Sequence, residues 1–256
     1  MKQTKIVTLV INREQLTFIL GTFNAVISTL AETNAPKTTV ILPTSLNDIA
    51  LISRDSTVRN YYRSVDFYTT DGMPLVWLFA RKFPFIPIDR VYGPSIIEHL
   101  TIKNCHAKQL IFCAHTSEAI QISKLFAKDI EKGKKKIEVL GSIKDTTEHE
   151  RVIKIIESYK PFYTWIGVGS PNQVFLANSI KKYCKHPSLI FCVGVGVEYL
   201  AKTRVQAPKL LQNNGLEWLF RLITNPKRLY ARYLFAIPHF LLSVLLKKTK
   251  VSIKRK

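Results

Sequence analysis

Short apolar runs rich in β-branched or aromatic residues recur along the chain, separated by longer stretches of mixed polarity. They read TTVILP (38–43), QLIFCA (109–114), KIEVLGS (136–142), FYTWIGVG (162–169) and SLIFCVGVG (188–196). Continuous apolar strands alternating with amphipathic segments are the signature of a mainly parallel sheet buried by helices on both faces. Helices are expected at about 45–63, 94–103, 117–131, 146–158 and 172–183, with Ser117, Thr146 and Asn172 as capping residues. The lysine-rich KDIEKGKKKIE (128–138) reads as a solvated helix end and turn. The fold class is therefore α/β.

After Val197 the pattern changes. No further strand-like run is evident, and Pro208, Pro226 and Pro238 divide the remainder into short helical pieces. Two units are expected: an α/β domain over 1–197 and a helical appendage over 198–256. The charge follows the same division. The chain carries 38 Lys and Arg against 18 Asp and Glu, and from Lys202 onward there are thirteen basic residues and one acid, Glu217. Such an excess favours phosphate-bearing partners: anionic lipid, a nucleotide or nucleic acid. The basic residues cluster beside the apolar stretch YLFAIPHFLLSVLL (233–246), and no nucleic-acid motif is evident, which argues for a membrane surface. Fourteen residues interrupted by Pro238 are too few to span a bilayer, which takes about 20. Trp218, Tyr230, Tyr233 and Phe240 suit the headgroup level.

Other chemistries find little support. Cys105, Cys113, Cys184 and Cys192 form no CxxC pair, as expected of a reducing cytoplasm. The N-terminal MKQTKIVTLVINREQLTF has too interrupted an apolar stretch for a signal peptide. The six histidines show no metal-ligand spacing, and no G-x-S-x-G elbow is present.

Asp71 stands out. It follows VDFYTT (65–70), which alternates as a strand does, and precedes Gly72 and an apolar run suited to a helix from Met73 to Lys82. Open α/β sheets place ligands at the carboxyl ends of their strands, so Asp71 is either a helix cap or a proton acceptor. Two further strand ends, GVGSPNQ (167–173) and GVGVE (194–198), carry glycines that suit a tight turn or a close approach to a diphosphate.

Several stretches occur together in order: LPTSLNDIALISRD (42–55), DGMPLVW (71–77), RVYGP (90–94), GVGSPNQ, GVG (194–196), AP (207–208) and GLEWLFRLITNPKRLYARYL (215–234). With them the chain resembles the WecG/TagA/CpsF family, glycosyltransferase family 26, over nearly its whole length. The resemblance implies a Rossmann-like sheet domain and an inverting transferase needing neither metal nor cofactor. Such an enzyme moves a sugar from a UDP-sugar to a polyprenyl-diphosphate-linked acceptor at the cytoplasmic face of the bacterial membrane. Capsule, exopolysaccharide or teichoic acid linkage synthesis is the implied setting, for a peripheral protein, and the resemblance also admits a homo-oligomer.

It also implies roles for individual residues. Asp71 matches the general base. Thr44, Ser45, Asn47, Gly72, Arg90, Gly93, Gly169, Gln173, Gly194 and Gly196 match substrate-binding positions, as do the tail arginines Arg221, Arg228 and Arg232, and Glu198 is a further substrate-binding candidate beside them. The chain departs from the family pattern at Asn172 and Val174, where Lys and Glu are usual. It departs again after GVG, where Phe-Asp-Phe is replaced by Glu198 and Tyr199, and at Gln206, where Arg is usual. These departures leave the donor sugar open and admit an alternative: a non-catalytic relative that assists a partner transferase or binds the lipid-linked intermediate.

Overall fold

The computed structural model of the chain describes residues 4–32, 37–103, 107–141, 148–246 and 248–255. The first part folds as β1 (Lys5–Ile11), β2 (Glu14–Leu20), α1 (Phe23–Ala31), β3 (Thr39–Thr44), α2 (Leu46–Arg54), α3 (Ser56–Tyr62), β4 (Phe67–Thr70) and α4 (Met73–Lys82). Then come α5 (Gly93–Lys103), β5 (Lys108–Cys113), α6 (Thr116–Glu131), β6 (Lys136–Leu140), α7 (His149–Tyr159), β7 (Tyr163–Gly167), α8 (Asn172–Tyr183), β8 (Leu189–Cys192) and α9 (Gly196–Leu200). The C-terminal part supplies α10 (Lys209–Asn213), α11 (Glu217–Thr224), α12 (Pro226–Tyr230), a π-helical segment (Ala231–Ala236), α13 (Ile237–Leu245) and β9 (Val251–Arg255).

The strands form one sheet in the order β6-β5-β7-β8-β3-β4-β2-β1-β9. All neighbouring pairs from β6 to β2 are parallel, whereas β1 runs antiparallel to both β2 and β9. Side chains alternate between two cores. Val40, Leu42, Leu110, Phe112, Ile190 and Cys192 face α2, α3, α4, α7 and α8. Their neighbours Ile41, Ile111, Cys113, Leu189 and Phe191 face α1, α5, α6 and α9. Burial on both faces explains why runs such as Val40–Leu42, Leu110–Cys113 and Leu189–Cys192 are apolar at successive positions.

At the carboxyl ends of the adjacent strands β8 and β3 the chain leaves to opposite faces, to α9 in one case and α2 in the other. Such a divergence opens a crevice at the sheet edge, the usual ligand position in open α/β folds.

Several expectations need correction. A single helix over 45–63 gives way to α2 and α3, because Asp55 accepts from the N–H groups of Thr57 and Val58 and starts a new helix. His115, not Ser117, occupies the N-cap of α6, and Asn172 is the first residue of α8 rather than its cap. Thr146, Cys105, His106, Lys247 and Lys256 lie outside the described residues. Lys135 is not solvated: its Nζ donates to the Thr101 carbonyl at 2.7 Å and lies over the Phe126 ring.

The largest correction concerns the tail, which ends in a strand. Ile253 of β9 packs against the core, and Asn12 exchanges hydrogen bonds with Lys250 through its N–H and its side-chain oxygen, each at 3.0 Å. Five residues with two terminal cations carry little strand signal of their own; pairing with β1 imposes the conformation. The C-terminal unit is thus helices closed by a strand in the main sheet. Nor does Pro238 separate helical pieces. It sits in the first turn of α13, directly after the π-helical segment, so α12 to α13 is a continuous but irregular helix.

Candidate active site

A cavity of about 400 Å3 opens at the carboxyl ends of the neighbouring strands β7, β8, β3 and β4, with α11 to α13 as its outer wall. Its inner residues come from the four strand-to-helix turns: Ser45, Asn47 and Asp48 after β3, Asp71 and Gly72 after β4, Gly169, Ser170 and Gln173 after β7, and Gly194 after β8.

Asp71 is placed by backbone pairing. Its N–H donates to the Thr44 carbonyl, extending the β3–β4 ladder by one residue. The segment before α5 is tied to β4 in turn: Thr69 and Thr70 donate their hydroxyls to the carbonyls of Val91 and Asp89, and Val91 N–H donates to Thr70. This brings Arg90 beside Asp71. Arg90 Nε donates to the Asp71 carbonyl, and Nη2 stands 3.5 Å from Asp71 Oδ1. Gly72, not Asp71, occupies the N-cap of α4, and no side-chain capping bond forms there. The cap alternative for Asp71 is therefore not realised.

The guanidinium of Arg90 also donates through Nη1 to Glu217 Oε2 at 2.6 Å, and Arg221 pairs with the other oxygen of the same carboxylate. Arg90 lies 3.9 Å over the Tyr92 ring. The Tyr92 hydroxyl donates to Gln212 and accepts from Gln206, a neutral network that ties the segment before α5 to the C-terminal helices.

Two carboxyls sharing one arginine are driven apart. Asp71 titrates above the usual carboxylate range, because its place at the cavity floor strips away water and outweighs the pull of Arg90 and Arg221. Its side chain nevertheless remains 27% accessible, open to whatever fills the cavity. Glu217 is the more enclosed of the two, at 7%, yet burial is outweighed by direct contact with Arg221 and Arg90, and it titrates below the usual range. Environments that separate paired acids in this way assign them different roles.

Gln173 is 4% exposed, and its Nε2 donates to Ser170 Oγ. Its Oε1 is buried without a hydrogen-bond partner, an acceptor available to a ligand donor. A Cβ on Gly194, whose φ is +51°, would stand 3.4 Å from that oxygen, so the backbone here passes close to the Gln173 amide. Ser45 donates its hydroxyl to Asp48, which also accepts from Tyr62.

The structure gathers Ser45, Asn47, Asp71, Gly72, Arg90, Gly169, Gln173, Gly194, Arg221 and Arg232 around the cavity. Thr44 is buried beneath it, its hydroxyl donating to Leu42. Gly93 and Gly196 instead allow α5 and α9 to touch: a Cβ on Gly93 would meet the Val193 carbonyl at 2.5 Å, and one on Gly196 would meet Pro94 N at 3.0 Å. Glu198 pairs with Arg204 at 3.0 Å, and it is Arg204 that reaches the cavity. The side chain of Arg228 lies outside the described part of the structure. Sequence reasoning missed Asp48, Arg204 and Glu217, together with the apolar outer wall of Trp218, Leu229, Ile237 and Leu241. For Glu217 one signal was present: it is the single acid in the basic tail.

Among the described residues no three His, Cys, Asp or Glu side chains gather as a metal-holding group. A family model described as the glycosyl transferase WecG/TagA/CpsF family matches residues 15–254 of the 256. The chain belongs to this family. WecG/TagA/CpsF proteins are glycosyltransferases of cell-surface polysaccharide synthesis, and the match runs through both the sheet domain and the C-terminal helices that complete the cavity.

Proposed function

We propose that the chain transfers a sugar from a UDP-sugar to a polyprenyl-diphosphate-linked acceptor, with inversion, at the cytoplasmic face of the membrane. Asp71 is the general base: its carboxylate takes the proton of the acceptor hydroxyl as that oxygen bonds to the anomeric carbon and the bond to UDP breaks. The single observation carrying this reading is the environment of Asp71, an accessible carboxyl of raised proton affinity with arginines beside it. A base of raised pKa is better matched to proton transfer near neutral pH than an ordinary aspartate.

The departing diphosphate carries negative charge that guanidiniums and helix N-termini can stabilise. Arg90, Arg221 and Arg232 line the cavity, and α8 begins at its rim. Gln173 Oε1 and the open backbone at Gly169 and Gly194 form the face suited to the nucleotide sugar. The outer wall, with Leu229, Ile237 and Leu241, suits the acceptor's lipid end. A volume of about 400 Å3 falls in the range of small-molecule sites, about 300–1,000 Å3.

The test is transfer from a panel of radiolabelled UDP-sugars to polyprenyl-diphosphate-linked acceptors in acidic liposomes. Labelled lipid product that disappears with Asp71→Asn supports the proposal. UDP binding without transfer across the panel would favour a non-catalytic family member instead.

A further inference from the structure

We propose that Glu217 is a positioning residue: it holds Arg90 between its own carboxylate and that of Asp71, and so makes the state of the base depend on docking of the C-terminal helices. The inference rests on Asp71 being the base. The observation is a chain of four alternating charges, Asp71–Arg90–Glu217–Arg221, crossing from the edge of β4 to α11.

Each link has a physical reason. Arg90 has one edge on Asp71, through the carbonyl and the 3.5 Å contact with Oδ1, and its Nη1 on Glu217 at 2.6 Å. Its face rests on Tyr92. With these directions taken, displacing Glu217 removes the partner opposite Asp71 and leaves the guanidinium free to turn. Glu217 is a poor candidate for the proton acceptor itself. Each of its oxygens meets a guanidinium, and it is held ionised. Its place in the tail is also singular, one acid among thirteen basic residues, buried at the junction of the two units rather than spread over a solvated surface.

The groups around Asp71 fix the sign of the effect. Arg90 faces it from the segment before α5, Glu217 and Arg221 from α11, Asp48 from α2, and Tyr233 and Arg232 from the π-helical segment. Glu217→Gln retains the shape and an acceptor for Arg90 but deletes the negative charge that offsets the two arginines. The uncompensated cations then favour ionised Asp71, and its titration moves to lower pH. Loss of exact placement lowers kcat by roughly 10- to 100-fold. Glu217→Asp keeps the charge and leaves the Asp71 midpoint in place.

The experiment is a carbon-13 carboxyl NMR titration of the full chain without substrate, the Asp71 resonance being the one absent from Asp71→Asn. A downward-shifted midpoint in Glu217→Gln, at an unchanged wild-type midpoint in Glu217→Asp, supports the proposal. A midpoint in Glu217→Gln that stays put or rises overturns it, whatever happens to stability. Should that variant not fold, Arg221→Gln gives the same reading with opposite sign, since it strips a cation from the chain of charges; an unmoved midpoint there overturns it too. Because the titration needs no turnover, failure of the coupling is distinguishable from failure of Asp71 as the base, which transfer by Asp71→Asn reports separately.

Discussion

Arg90 grips Asp71 twice, through a hydrogen bond from Nε to the backbone carbonyl and through Nη2 at 3.5 Å from the carboxylate. The first contact fixes the backbone of the strand-to-helix turn; the second is long enough to leave the carboxylate free to accept a proton. A tighter ion pair would lower its proton affinity, as happens at Glu217.

Asp71→Asn is therefore expected to remove about 10²- to 10⁴-fold of turnover, the usual contribution of a general base, while leaving nucleotide affinity within a few-fold. Steady-state transfer and UDP calorimetry on the same preparation check both halves. Since Gly72 holds the α4 cap, the melting temperature should fall little. Full turnover in a folded variant would remove Asp71 from the chemistry.

The sheet and this acid were legible in the sequence for the same reason. Runs such as LIFC in β5 and in β8 are buried on both faces, so burial wrote itself into composition, and Asp71 directly follows β4 where the chain hands over to a helix. The edge of the sheet was not legible. The β1–β2 hairpin turns at Asn12 and Arg13 with positive φ and no glycine, which hides the usual hairpin signal. Strand β9 exists because β1 offers it an edge. Glu217 is hidden by distance: its partner Arg90 lies 127 positions away, and no local pattern encodes that pairing.

Raised proton affinity at Asp71 places the acid limb of kcat/KM above the ordinary aspartate range. Below that limb the rate should fall about tenfold per pH unit, as expected when one group must be ionised. The two acids act on stability in opposite senses. Asp71, with its folded value raised, stabilises the fold fully below its ordinary value, and that contribution is lost as pH rises through the folded value. Glu217, with its folded value lowered, stabilises it above its ordinary value, and that contribution is lost as pH falls through the folded value. A pH–rate profile alongside urea melts of wild type and Glu217→Gln checks these signs; a wild-type acid limb at the ordinary aspartate value would contradict the burial argument.

Arg90→Ala should damage the turn after β4 and the packing of α11 at once. It leaves Glu217, 7% exposed, with Arg221 alone and removes the stack on Tyr92. Breaking a buried pair from one side costs on the order of 3 kcal/mol. Arg90→Lys retains the charge but cannot reach both Asp71 and Glu217 with a planar fork, so it should recover only part of that loss. Denaturant midpoints measure the stability change, and UDP titration measures the accompanying loss of affinity. A neutral result for Arg90→Ala would show that the junction holds without this arginine.

The last prediction concerns the outer surface of the C-terminal helices. Leu234, Phe235, Leu242, Leu245 and Leu246 are exposed, whereas Phe240, suited by sequence to the headgroup level, is only 6% exposed and packs into the core. The helix is thus pinned to the protein by Phe240 and at its end by β9, and it turns a leucine face outward. Lys248, Lys250 and Lys254 follow it on the surface. No helix among the described residues is long and apolar enough to cross a membrane; the prediction is that this leucine face lies in an interface. Each leucine fully buried in lipid contributes about 1.5–3 kcal/mol, and each lysine near an anionic surface about 1 kcal/mol. Deleting 229–256 would be a poor test, because it also removes β9 and Phe240 and uncovers the edge of β1. Leu242→Glu with Leu245→Glu alters the outward face alone. It should reduce co-flotation with acidic liposomes by more than about tenfold, while the melting temperature stays nearly constant. Sedimentation of the same variant separates the competing role of this face: dissociation of an oligomer with flotation intact would assign the leucines to a protein interface and refute membrane docking through them.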